Sequence, residues 1–243
     1  MNITKKHLTG VVAAGILGTA SLHAYDWKEA QKALSPKQQS IAAAAALSAA
    51  GRLSKLETAF NRALDSGLTV NELKEIVLQL YAYTGFPRCL NAASVLEKVV
   101  NERRVRGAGD LTGPEPQAIP AGTDRYELGK RNLEVLVAAP LPSHPDSFIP
   151  ATDTFLKEHL FADIFARGVL SYRDRETATV AALAALGDVN PQLQAHIGMA
   201  LNTGVTPEEI AGIMAVIKMQ LGRKTAANGL EMLEKVLQTR NKK

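Results

Sequence analysis

The chain contains one segment of sequence twice. Residues Leu64–Val99 align without a gap on Leu201–Val236, and every matched pair lies 137 positions apart. The clearest matches are Gly67 with Gly204, Gly85 with Gly222, Asn91 with Asn228 and Glu97 with Glu234. Two copies of one unit must bury the same apolar faces, which restricts the fold to two similar substructures. Because the copies keep different polar residues, we expect one composite site to which each copy contributes a part.

Composition favours helices. Of the 243 residues, 46% are hydrophobic but only 5% are aromatic, with Ala and Leu abundant. Ala and Leu are strong helix formers, and this bias favours close-packed helices over a sheet. The sequence therefore predicts an all-α fold of two tandem units built from antiparallel helices.

Capping signals and glycines place the helices within each unit. We predict a first unit over 35–105 and a second over 151–240. The landmarks are Ser35-Pro36, the capping box Thr69/Glu72 and the break Gly85-Phe86-Pro87 in the first unit, and the capping box Thr206/Glu209 and the break at Gly222 in the second. The capping-box glutamates bond to backbone amides, so they are poor catalytic candidates.

Between the units, residues 106–150 hold most of the prolines and several glycines. This composition predicts a linker without a continuous helix, interrupted by a short helical piece over 126–138. Such a long connection typically wraps a neighbouring unit or reaches another subunit. Residues 151–166 predict an additional amphipathic helix before the second unit.

The first 24 residues have the pattern of a secretory signal. Lys5 and Lys6 precede an apolar run from Leu8 to Ala20, and small residues lead to a cleavage point after Ala24. The run is too short to span a bilayer. We predict a signal peptide over 1–24, export to a periplasm and no stable membrane insertion after cleavage. A buried N-terminal helix and an uncleaved anchor are the alternatives.

Charge and cysteine content exclude some functions. The formal net charge is only +4, and no Lys/Arg cluster alternates with aromatics, which argues against a nucleic acid partner. Cys89 is the single cysteine, so an internal disulfide and a two-thiol redox cycle are both excluded. We interpret Cys89 as a small buried hydrophobe.

Two groups of residues resemble the carboxymuconolactone decarboxylase family. They are Arg175-Glu176 followed by 192–196 and 204–210, and Tyr83–Pro87 followed by Leu90-Asn91-Ala92. The resemblance implies an alkylhydroperoxidase-like fold that forms homo-oligomers, typically trimers or hexamers. It also implies a cofactor-free and metal-free acid/base lyase or isomerase acting on a small carboxylated lactone or related acid.

A second branch of that family is a peroxidase with a Cys-x-x-Cys motif. Counting back from His196, those cysteines correspond to Val189 and Gln192. The thiol pair is absent, so a peroxidase of that mechanism is disfavoured.

His196 is the strongest catalytic candidate, since imidazole exchanges protons near neutral pH. Its counterpart in the first unit is Ala59, so packing alone does not require a histidine. Glu176 matches the acidic partner of the family's histidine, and Arg175 could hold a substrate carboxylate. Core packing of His196 and a structural Arg/Glu pair are the alternatives.

The remaining candidates come from the first unit and the additional helix. Tyr83 is predicted to polarise a carbonyl, with Glu75 as a further acid. The residues predicted to bind substrate are Arg175, Tyr81, Gly85, Phe86, Pro87 and His159. His159 and Asp163 are spaced as a weak metal pair, for which a hydrogen bond on the helix surface is the simpler interpretation.

Three functional hypotheses follow. The first is the acid/base lyase or isomerase. The second is a non-catalytic, ligand-binding helical oligomer of the cell envelope, in which the pocket is apolar and His196 is hydrogen-bonded within the core. The third, a peroxiredoxin-like antioxidant that uses Cys89 alone, is disfavoured.

Overall fold

The computed structural model describes residues 26–142 and 148–242. Within these ranges it contains ten α-helices, one π-helix, one short 3-10 helix and no strand, so the predicted all-α fold is confirmed. The α-helices are α1 (Trp27–Gln31), α2 (Pro36–Ala49), α3 (Leu53–Asp65), α4 (Val70–Val105), α5 (Arg125–Val137), α6 (Pro150–Phe155), α7 (Tyr172–Leu186), α8 (Asn190–Asn202), α9 (Pro207–Leu221) and α10 (Arg223–Arg240). The π-helix is Leu156–Ile164, and the 3-10 helix is Phe165–Arg167.

The signal peptide predicted at 1–24 lies outside the described residues. Within the described ranges, no helix combines the length and the apolar character that crossing a membrane requires.

The backbone repeats with the sequence. Gly85 and its counterpart Gly222 have nearly the same conformation, with φ/ψ of 79°/161° and 103°/168°. This region is accessible to glycine and strained for other residues, which explains why a glycine breaks the helix in both units. The two predicted capping boxes, Thr69/Glu72 and Thr206/Glu209, are both present.

Helix α4 is a hairpin with two arms, 70–84 and 86–105, that meet at Gly85. Val70, at the start of the first arm, and Asn101, near the end of the second, line the same cleft. The arms are therefore antiparallel. In the second unit, α9 and α10 meet at Gly222 in the same way.

The core lies where the two units meet. Helix α2 of the first unit packs along α7 of the second, and this is the most extensive contact between any two helices of the repeats. Residues on nearly every side of α2 are buried, including the fully buried Ile41 and Leu47. A helix that is apolar all round must lie in the interior. The sequence from 41 to 49 therefore places α2 at the centre of the molecule.

Helix α5 and the π-helix form a layer that we call the cap. They approach closely at Gly129, where a Cβ atom would lie 1.8 Å from the Lys157 carbonyl oxygen. Asn132 on α5 donates to the Phe161 carbonyl at 2.7 Å. The cap buries a small apolar cluster against which Tyr81, Tyr83 and Met199 pack.

Residues 151–166, for which the sequence predicts an additional amphipathic helix, are helical but change winding along the segment. Only α6 is α-helical, and the segment continues as a π-helix from Leu156. The π-helical segment makes two close contacts with α5 in the cap. Asn132 donates to one of its carbonyls, and Gly129 lies close to another. Neither contact can be inferred from the periodicity of the segment itself.

Candidate functional site

The site is centred on a buried histidine–carboxylate pair. His196 on α8 places Nδ1 2.8 Å from Oε2 of Glu176 on α7. Glu176 is fully buried and His196 is 7% exposed. A carboxylate that accepts from Nδ1–H fixes the ring orientation and leaves the Nε2 lone pair for another partner. The structure thus brings together two residues that lie 20 positions apart.

Tyr83 of the first unit lies against the imidazole. The two rings meet edge to face, with centroids 5.4 Å apart and planes at 81°. Tyr83 sits at the end of the first arm of α4, two residues before the break at Gly85. Burial raises the pKa of the Tyr83 hydroxyl well above its ordinary value, the nearby charge of Glu176 raises it further, and the Thr179 hydroxyl opposes the shift without forming a hydrogen bond of normal geometry. The Tyr83 hydroxyl therefore stays protonated and can donate a hydrogen bond.

Three atoms of this site are buried without a hydrogen-bond partner among the described residues. They are the Tyr83 hydroxyl oxygen, Oε1 of Glu176 and Nε of Arg175. An unpaired buried polar atom costs about 1–3 kcal/mol, so natural structures contain few of them. The counterparts of Tyr83, Glu176 and His196 are Gln220, Gln39 and Ala59. The equivalent location in the repeat therefore packs without a tyrosine, a carboxylate or a histidine.

Arg175 is fully buried, and both terminal nitrogens of its guanidinium group have hydrogen-bond partners. Its NH1 donates to Gln79 at 3.0 Å, and its NH2 donates to Glu75 at 3.1 Å. Burial lowers the pKa of Arg175, while the ion pair with Glu75 opposes that shift. A substrate carboxylate at NH1 or NH2 would compete with Gln79 or Glu75, whereas Nε has no partner among the described residues. Arg175 also contributes a positive charge near Tyr83, and this charge partly offsets the raised pKa of the hydroxyl.

Glu75 is held between two guanidinium groups. It is 2% exposed and also accepts from Nε of Arg167, at 2.8 and 3.1 Å. A carboxylate shared by two arginines is a structural ion pair, and neither oxygen is left for proton transfer.

Sequence reasoning missed three members of this network: Gln79, Thr179 and Arg167. Gln79 donates to the Thr179 hydroxyl at 3.2 Å and to the Arg175 carbonyl at 3.1 Å. Two signals could have identified the network. Glu75, Gln79 and Tyr83 are spaced at i, i+4 and i+8, on one face of a helix. The counterparts of Glu75, Gln79 and Arg167 are the uncharged residues Gly212, Val216 and Ala30.

The candidate residues around the break at Gly85 lie in two separate places. Tyr83 joins the His196 pair, whereas Tyr81 stacks on Phe86 with centroids 4.7 Å apart and contacts His159 at 5.4 Å. Phe86 is 64% exposed, and Gly85 and Pro87 are exposed beside it. These residues form an aromatic cluster at the surface rather than a wall of the buried pair.

The pair of His159 and Asp163 is a hydrogen bond at the helix surface. Nδ1 of His159 lies 3.1 Å from Oδ2 of Asp163, while Oδ1 accepts from Arg125 at 2.8 Å. Both carboxylate oxygens are therefore engaged. Within the described ranges, no group of three or more His, Cys, Asp or Glu residues is arranged to hold a metal ion.

Cys89 lines a cleft of about 630 Å³ between the arms of α4, together with Glu75 and Leu96. Burial raises the pKa of its thiol. The neighbouring Arg88 guanidinium donates to the carbonyl of Ala49. The raised pKa opposes a reactive thiolate.

Comparison with known proteins identifies a family. The chain matches the model of the carboxymuconolactone decarboxylase family twice, over residues 19–98 and 150–235. No curated protein matches the chain significantly. The two matched regions make up more than half of the chain and cover both copies of the repeat. The chain therefore belongs to the carboxymuconolactone decarboxylase family.

Proposed function

We propose that this protein is a cofactor-free acid/base lyase or isomerase that acts on a small carboxylated lactone or related acid. One observation carries the proposal: the buried His196–Glu176 pair keeps Oε1 of Glu176 unpaired, and the Tyr83 hydroxyl and Nε of Arg175 are also buried without a partner among the described residues. A histidine buried only for packing needs one hydrogen-bond partner, and it does not need these additional unsatisfied groups around it.

In this mechanism, Nε2 of His196 takes the proton from a carbon next to a carbonyl group. The electron pair of the broken C–H bond moves into the carbonyl, whose oxygen becomes negative and accepts a hydrogen bond from Tyr83. Glu176 stabilises the imidazolium. The proton then returns to another carbon, which gives an isomer. Alternatively, His196 protonates the carbanion that forms when a carboxylate leaves as carbon dioxide.

The expected size of each contribution follows from general chemistry. A positioned acid/base group typically contributes a factor of about 10²–10⁴ in rate. A hydrogen-bond donor at a developing oxyanion contributes about 10²–10³. The fully buried Arg175 acts as a positioning residue in this proposal, because it holds Gln79 and places a positive charge near Tyr83.

The first test identifies a ligand and then its turnover. A thermal-shift screen uses small carboxylated lactones, hydroxy acids and dicarboxylates against the wild type and His196→Ala. A compound present at 100 times its Kd raises stability by about 2.7 kcal/mol. We expect a shift in the wild type that is reduced in His196→Ala.

For a compound that passes this screen, we expect kcat to fall at least about 100-fold in both His196→Ala and Tyr83→Phe. His159→Ala is the matched control, since His159 is exposed and lies outside the buried pair. Unchanged turnover in both site variants would eliminate the mechanism.

The binding hypothesis keeps one supporting observation. His196 is 7% exposed and bonds to Glu176 within the core, as a non-catalytic helical oligomer of the envelope requires. A ligand that shifts the wild type but is not converted would favour this second function.

We also propose that the protein is exported and forms a homo-oligomer. Lys5, Lys6 and the apolar run that follows support a periplasmic location, and the family resemblance supports a homo-oligomer of three or six chains. Native mass spectrometry of the secreted protein tests both, since it measures the chain mass after cleavage and the number of chains. Detection of the uncleaved chain would contradict the proposed export, and detection of a monomer would contradict the proposed homo-oligomer.

A further inference from the structure

The constant offset of the repeat relates the residues of the His196 site to a second set of residues elsewhere in the molecule. Moving 137 positions from His196, Glu176 and Tyr83 gives Ala59, Gln39 and Gln220. These three counterparts line one cavity of about 260 Å³. The pseudo-symmetric location is therefore a real cavity, and it has lost the acid/base residues of the first site.

A larger cavity of about 460 Å³ adjoins this one. Met219 and Gln220 line both. The side chains that give the two cavities their charge are Arg52, Lys55 and Lys218 in the larger and Arg62 in the smaller. No Asp or Glu is among the described residues that line either cavity. We call the two adjoining cavities the basic pocket.

The cations of the basic pocket are not neutralised within the described part of the chain. No described carboxylate forms an ion pair with any of the four. Lys55 donates to the carbonyl of Gln220 at 2.8 Å. The Lys218 ammonium lies 5.2 Å from the centre of the Trp27 ring. Neither contact cancels the positive charge.

Two helix N-termini and one helix C-terminus, the last turn of α9, lie at the larger cavity, so their partial charges oppose each other and the side-chain cations dominate the potential. Arg52 is the N-cap of α3 and Gly222 is the N-cap of α10, and neither makes a capping bond through a side chain. Both residues line the larger cavity. Free amide N–H groups at helix N-termini favour anions.

We infer that the basic pocket binds a small anion with at least two negative charges, carried by carboxylate or phosphate groups. Arg52, Lys55 and Lys218 supply the opposing charge, and Arg62 supplies it at the inner cavity. Because Gln39 and Ala59 replace the carboxylate and imidazole, this pocket binds its ligand without acid/base chemistry. It is independent of the reaction proposed for His196.

Trp27 provides a direct readout, since it is the only tryptophan of the chain and lies against Lys218. The experiment titrates the protein with inorganic phosphate or with citrate at constant ionic strength and follows Trp27 fluorescence. We expect a saturable change with at least one of these anions. Response to phosphate alone or to citrate alone identifies the preferred chemistry, and either result supports the pocket.

Substitutions locate the binding. Charged hydrogen bonds are worth about 1.5–3 kcal/mol, so we expect Arg52→Gln and Lys55→Gln each to raise Kd about tenfold or more. Both side chains are exposed, so these variants fold. Lys235→Gln is the matched control, since it removes one exposed positive charge elsewhere on α10.

Three results would overturn the inference. One is the absence of a saturable change with both anions. Another is an equal loss of affinity in Lys55→Gln and Lys235→Gln, which would indicate a diffuse charge effect. The third is loss of the Trp27 response in His196→Ala, which would place the anion at the other site. Failure of the proposed reaction leaves all of these measurements unaffected.

Discussion

At the scale of single residues, the site contains carboxylates that are costly to bury. Glu75 is compensated by two guanidinium groups, whereas Glu176 has only His196 and keeps Oε1 unpaired. Their counterparts, Gly212 and Gln39, carry no charge to compensate. Each unit thus buries one carboxylate, and the equivalent position of the other unit avoids that cost.

Tyr83 gives a prediction for stability against pH. The unfolded chain ionises this tyrosine near its ordinary pKa of about 10, while the folded protein keeps it neutral. Above pH 10 the unfolded state therefore binds fewer protons, and the free energy of unfolding falls by about 1.4 kcal/mol per pH unit from this group. Tyr83→Phe lacks this contribution.

Urea unfolding of both proteins at pH 8, 10 and 11 measures the effect. We expect the wild type to lose about 1.4 kcal/mol more than Tyr83→Phe at pH 11. Tyr172, whose pKa burial also raises, is present in both proteins and cancels in the comparison. Parallel losses in the two proteins would show that Tyr83 is not buried as described.

At the scale of elements, the break in α4 positions the tyrosines. The first arm ends near Tyr83, and the hairpin lets the second arm fold back along it. The cap then covers Tyr81 and Tyr83 from the other side. A continuous α4 would carry residues 86–105 away from the first arm, so the glycine determines which surfaces meet.

Gly85→Ala tests this role. An alanine at φ 79°, ψ 161° is strained by about 1–3 kcal/mol, so we expect the free energy of unfolding to fall by that amount. Gly109→Ala is the control, because a Cβ there meets no atom within 4 Å and its φ is not in the strained positive range. Chemical denaturation measures both variants. Equal stability of the two would mean that the break tolerates a side chain.

At the scale of the whole molecule, the two units interlock. Helix α1, which precedes the first unit, packs on α9 of the second. In the opposite direction, Arg167 of the second unit bonds to Glu75 on α4 of the first. Glu209 on α9 accepts from Gln38 on α2 as well as from Arg173 on α7. Each unit therefore completes the core of the other.

This interlocking predicts one cooperative unfolding transition. Leu47→Ala in the fully buried face of α2 should destabilise the protein by about 2–5 kcal/mol. We expect far-UV circular dichroism, which reports all helices, and Trp27 fluorescence, which reports α1, to shift to the same new midpoint. Surface variant Lys235→Gln should leave both midpoints in place. Two separate midpoints in Leu47→Ala would mean that the units unfold independently.

The local structure of this protein could largely be predicted from its sequence. The duplication is visible in the sequence itself. The capping boxes at Thr69 and Thr206 and the breaks at Gly85 and Gly222 depend on interactions within a few residues. Hydrophobic spacing and helix propensity act over the same short range. The resemblance to a known family then indicated which polar residues to examine, among them His196 and Glu176.

The partners of those residues were decided by the tertiary structure. Arg175 bonds Gln79 and Glu75, about 100 positions away along the chain, and no local pattern indicates that its nitrogens are occupied. The π-helix depends on contacts with Gly129 and Asn132 of the cap. The basic pocket brings Lys55 of one unit to Gln220 of the other. The sequence by itself determined the helices and their breaks, because these depend on neighbouring residues. Only the packing of the helices against one another decided which side chains meet, since burial and charge pairing depend on distance in space.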